Sequence, residues 1–118
     1  MLPSAQILMW QQLYTHLTNL PTASSADLKA SLSETIELFE AALQEQDLDA
    51  MPDAIAGKMQ SYLTESRRLL RLLPIDAMLM AAARTPSTSQ SRQQAYQEKL
   101  NVLLQYCQAA IDLWQSLT

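Results

Sequence analysis

The chain predicts an all-α fold, a four-helix antiparallel bundle, and three observations carry that expectation. It is rich in Leu, Ala, Gln and Met, holds a single glycine, and has few and scattered β-branched and aromatic residues. That composition favours helix over strand. Apolar residues recur every three or four positions along four long segments. Three short turn signals separate those segments, which makes sequential helices antiparallel neighbours. A chain of 118 residues, 48% hydrophobic and 17% charged, suits one packed domain over residues 1–118.

The first helix is expected from about Ser4, a candidate N-cap, to Asn19. Ile7, Trp10, Leu13, Tyr14 and Leu17 define its face, and Pro21 ends it, because the residue before a proline resists the helical region. The second is expected from about Ser25 to Gln46. Ser24 or Ser25 caps it, and Asp27 falls in the first turn, where a negative charge is favoured. Leu28, Leu32, Ile36, Phe39 and Leu43 form its stripe.

The breaker QDLDAMP leads into a third, long helix from about Pro52 to Arg84. Pro52 stands where a helix can begin. Ile55, Met59, Tyr62, Leu63, Ser66, Leu70 and Leu73 share one face, and Gly57 weakens the first turns slightly. Pro74 removes a donor and crowds the Leu70 carbonyl. A kink or local break is expected there, with two tightly joined helices as the alternative. The fourth helix is expected from about Ser89 to Leu117. Ser87-Thr88-Ser89-Gln90 has capping-box spacing with Pro86 just outside. Its stripe is Leu100, Leu103, Leu104, Cys107, Ala110, Ile111 and Trp114.

Charge is distributed unevenly. The formal net charge is −4, which argues against a nucleic-acid binder. From Asp27 to Asp53 there are eight acids and one base, Lys29, whereas from Lys58 to Lys99 there are seven bases and three acids. One reading pairs helices two and three through complementary fields. The other makes one of these faces a partner surface. Arg67, Arg68 and Arg71 form a compact basic ridge suited to a carboxylate-bearing protein.

Beyond Pro74, Leu72, Ile75, Met78 and Leu79 fall off the core stripe. A helix apolar nearly all round is covered on more than one side. Either the first helix folds across it, or a Met-rich patch receives a partner or a second copy.

The chain shows no catalytic, cofactor-binding or metal constellation. His16 is the lone histidine; phosphotransfer on a signalling bundle and an ordinary boundary residue are its two readings. Cys107 sits on a core stripe and reads as a buried structural thiol. One cysteine suits a reducing compartment. The opening MLPSAQILMW has no basic residue and makes a poor secretory signal, and no apolar run reaches the ~20 residues of a membrane span. A cytoplasmic, non-enzymatic protein is the expectation.

The run SYLTESRRLLRLLPIDAMLMAAAR, residues 61–84, resembles the cyanobacterial heterocyst frequency control (PatD) family. The shared pattern is a tyrosine-containing helix, an Arg-Leu-Leu step, an Asp-x-Met turn and an Ala-Ala-Arg ending. A polar spacer with Pro86 follows, then a long amphipathic helix with Leu103, Leu104, Tyr106 and Cys107. The likeness covers Gln60 to Ala110, and the chain length and the opening Met-Leu-Pro also fit. Pro74 stands where glycine is common in the family. The resemblance implies a regulator of cell division and heterocyst pattern, acting at the division site, that binds the tubulin-like protein FtsZ and promotes its assembly. It carries no contact residues with it. Arg67, Arg68 and Arg71, to meet acidic surface, and Ile75 and Met78, to supply apolar area, are candidates chosen from the residues themselves.

Overall fold

A computed structural model describes residues 3–20, 26–46 and 48–117, with the backbone alone for Pro3, Ser4 and Ala50. Four α-helices and one short 3-10 turn make up its regular structure, with no strand among the described residues. They are α1 (Pro3–Thr18), α2 (Ala26–Gln44), the 3-10 turn Leu48–Ala50, α3 (Asp53–Ala82) and α4 (Pro86–Gln115). Each helix packs on its sequence neighbours, and α4 closes the ring against α1. The Cα atoms of the diagonal pairs α1–α3 and α2–α4 stay more than 8 Å apart among the described residues, so these pairs meet only through core side chains. This is the four-helix bundle that the period and the short connections imply.

The long helices form its spine. At roughly 1.5 Å per residue, thirty residues span about 45 Å, which accounts for most of the 50 Å long axis. Helices α1 and α2, of 16 and 19 residues, cover only part of that length. The free end is the α3–α4 turn. Ala81, Ala82 and every residue from Arg84 to Gln94 are exposed there, in keeping with the polar sequence PSTSQSRQQ.

The expected stripes bury as their spacing requires. Trp10, Leu13 and Leu17 of α1 meet Leu28, Leu32 and Phe39 of α2, Met59, Leu63, Leu70 and Leu73 of α3, and Leu103, Cys107 and Trp114 of α4 in one core. Trp10 and Phe39 cross edge to face, their centroids 6.2 Å apart, and join α1 to α2. Tyr62 and Tyr106 make the matching aromatic contact between α3 and α4 at 5.8 Å. Leu69, Asp76 and Tyr96 are buried too, outside the stripes read from the sequence.

Several local expectations need correction. Helix α4 starts three residues early. Thr85 is its N-cap, Pro86 occupies the first turn, and Thr85 Oγ1 accepts from Thr88 N–H at 3.2 Å. A proline at N1 loses nothing, because that donor has no intrahelical partner anyway. The Ser87–Gln90 run therefore lies inside the helix rather than capping it. Helix α3 continues unbroken through Pro74, so the two-helix alternative falls, and the Asp76-x-Met78 step is a helical turn. One missing hydrogen bond is tolerated because Leu69, Leu70, Leu73 and Ala77 anchor the helix on both sides of the proline. Ser4 lies within α1, and its side chain falls outside the described residues, as do Pro21, Ser24 and Ser25.

Candidate interaction face on α3

Helix α3 turns one continuous exposed stripe outward: Thr64, Arg67, Arg68, Arg71, Pro74, Ile75 and Met78. Their spacing of three and four residues places them on one side of a helix. The two halves proposed from the sequence, the basic ridge and the apolar patch, are thus successive segments of a single surface.

The basic half borders a shallow cleft of about 430 Å³, floored by Leu43 of α2 and Leu63 of α3 and rimmed by Arg67, Arg68 and Arg71. Arg67 donates from Nε to Glu40 Oε1 at 3.1 Å, across from α3 to α2. The side chains of that pair are 44% and 34% exposed. Arg68 donates from Nε and its terminal nitrogen to Glu65 Oε2, at 3.1 and 2.8 Å, one turn back on its own helix. Arg71 is exposed and makes no ion pair among the described residues. Helices two and three are neighbours, as the complementary-field reading requires, and among the described residues Arg67–Glu40 is the ion pair that joins them, with Arg71 left as surplus charge.

The apolar half borders a larger cleft of about 570 Å³ between the first half of α2 and the last turns of α3. Pro74, Ala77, Met78 and Ala81 form one wall, and Ala26, Lys29, Leu32 and Ser33 the other. Small side chains on both walls keep the space open. Met78 is 63% exposed and Ile75 48%. The expectation that the first helix folds across this segment is overturned. Helix α2 flanks it, while α1 lies on the diagonal of the bundle. Leu72, Leu79 and Met80 are half-buried, so only Ile75 and Met78 of the off-stripe apolar residues remain open.

Three residues belong to this face that the sequence does not place on it. Glu40 holds Arg67, Leu43 floors the basic cleft, and Lys29 lines the apolar one. Lys29 had a signal in the sequence, as the one base among eight acids. Its position opposite Met78 depends on how α2 and α3 pack.

The other candidates lie elsewhere. His16 is exposed in the last turn of α1. Cys107 is fully buried, and burial pushes its thiol up to about 12. No group of three His, Cys, Asp or Glu residues is placed to hold a metal ion, and no helix is long and apolar enough to cross a membrane, both among the described residues. No protein-family model, curated protein or solved structure matches the chain.

Proposed function

We propose that this chain is a non-enzymatic, cytoplasmic interaction module that binds the division protein FtsZ and modulates filament assembly. The resemblance of residues 60–110 to the heterocyst frequency control family supplies the partner. The observation that supports a binding role is the exposed stripe from Arg67 to Met78, where Arg71, without an ion pair among the described residues, is followed by two open apolar side chains. Protein interfaces draw on arginine and methionine in this way.

Co-sedimentation with the cognate FtsZ tests the reading. Pelleted filament is expected to increase in the presence of this protein, and the increase is expected to shrink when Arg67, Arg68 and Arg71 are all changed to Ala. Unchanged pelleting by the wild-type chain at several salt concentrations removes the proposal. The exposure of His16 suits the alternative of a phosphotransfer bundle. Acid-labile phosphate absent from His16→Ala would favour that alternative. A structural homodimer built on Ile75 and Met78 is the third reading, and light scattering separates it from a monomer.

A further inference from the structure

We infer that the α2–α3 face takes an amphipathic helical segment of a protein partner, its carboxylates lying against Arg67 and Arg71 and its apolar side chains entering the cleft beside Met78. The inference rests on the reading of this face as a partner surface, but not on which protein the partner is.

The two clefts follow one another along α3. Arg67 and Ala77 are ten residues apart, about 15 Å along a helix axis. A ligand that fills both must therefore present acid and apolar groups about 15 Å apart, or roughly ten residues of helix. A helix laid beside two others buries its stripe in the groove between them, the recurrent helix-in-groove mode. The apolar cleft has the dimensions and the Met-lined wall for one or two large side chains.

Charge decides the sign of the partner. Glu40 and Glu65 neutralise Arg67 and Arg68, which leaves Arg71 as the local surplus, with Lys29 across the second cleft. Both lie at the rim, accessible to a carboxylate. Glu40 already shows what such a partner does, since its carboxylate reaches Arg67 from a neighbouring helix. An exposed pair of this kind contributes only about 0–1 kcal/mol, so an incoming carboxylate displaces Glu40 at little cost. Glu40 is in this sense an internal competitor for the site.

The probe is a fluorescent 18-residue helical peptide with glutamates at one end of a face and leucines at the other. It is made in both orders, with a glutamate-to-lysine counterpart. Anisotropy titration is expected to show saturable, salt-weakened binding of one acidic order and none of the lysine peptide. Arg71→Glu is expected to abolish binding, and Met78→Asp to weaken it about tenfold, the loss of one apolar anchor. Glu40→Gln is expected to tighten binding about two- to fivefold, the size of one surface ion pair, whereas a merely structural Glu40 would leave affinity unchanged. Circular dichroism confirms that each variant is folded. Failure of both acidic orders, binding indifferent to Arg71→Glu, or an Arg71- and Met78-dependent dimer that excludes the peptide overturns the inference. Peptide failure with intact filament co-sedimentation overturns this inference alone. Peptide binding by a protein that ignores filaments supports it and removes only the FtsZ assignment.

Discussion

Asp76 of α3 and Lys99 of α4 form an ion pair at 2.9 Å, two residues past the proline that interrupts the α3 hydrogen-bond ladder. The contact joins Lys99 Nζ to Asp76 Oδ2 across the seam between α3 and α4. The side chains are 12% and 27% exposed, well below the arginine pairs of the outer face. Lys99→Met leaves a largely buried carboxylate without its countercharge. The expected loss is about 2 kcal/mol, between the values for exposed and fully buried pairs. Replacing both residues with Leu is expected to recover most of it. Urea unfolding followed by circular dichroism measures both, and an unchanged Lys99→Met midpoint would show that the pair adds nothing.

Gly57 sits inside α3 with ordinary negative φ, exposed, and a Cβ added there would meet no atom within 4 Å. Its only consequence is excess freedom in the unfolded chain. Gly57→Ala is expected to raise stability by about 0.5–1 kcal/mol and the melting temperature by roughly 2–5 °C. A thermal scan that shows no gain contradicts the assignment of Gly57 to a helix interior.

Thr85 carries the start of α4, where an exposed helical end has little tertiary packing to hold it. Thr85→Ala removes the acceptor for Thr88 N–H and is expected to cost about 1 kcal/mol, whereas Thr85→Ser should cost much less. Hydrogen exchange at residues 88–90 reads this directly, with faster exchange in the alanine variant only.

Cys107 makes the fold sensitive to alkali. Its thiol titrates near 9.0 when solvated and near 12 when buried, because the interior disfavours thiolate. The folded state therefore holds the proton more tightly. Stability is complete below pH 9 and falls as pH rises toward 12, by about 1.4 kcal/mol per unit while the unfolded thiol alone is ionised. Burial raises Tyr96 as well, adding a loss of the same sign above pH 10. The urea midpoint should drop between pH 9 and 11, and less steeply in Cys107→Ala. Native protein should resist thiol reagents at pH 8 until it unfolds.

The helices were legible because their information is local. Burial of Trp10, Leu17, Leu32, Met59, Leu103 and Trp114 follows from residues three and four apart, and a 3.6-residue helix puts those on one side. The start of α4 was misread because Ser87–Gln90 offers a second plausible cap. Pro86 decides for Thr85, since the proline needs no donor partner. The burial of Asp76 was not legible, because its countercharge arrives from another helix.

By itself the sequence determined an all-α chain of four helices, the core stripe of each, and an arginine ridge followed by an apolar run. Only the tertiary structure decided which helix stands beside that run. Placing α2 there and α1 on the diagonal leaves Ile75 and Met78 open, joins Arg67 to Glu40, and aligns two clefts along one face. The reason is physical. Periodicity reports which side of a helix is apolar, whereas exposure depends on which neighbour arrives and how much of the helix it is long enough to cover.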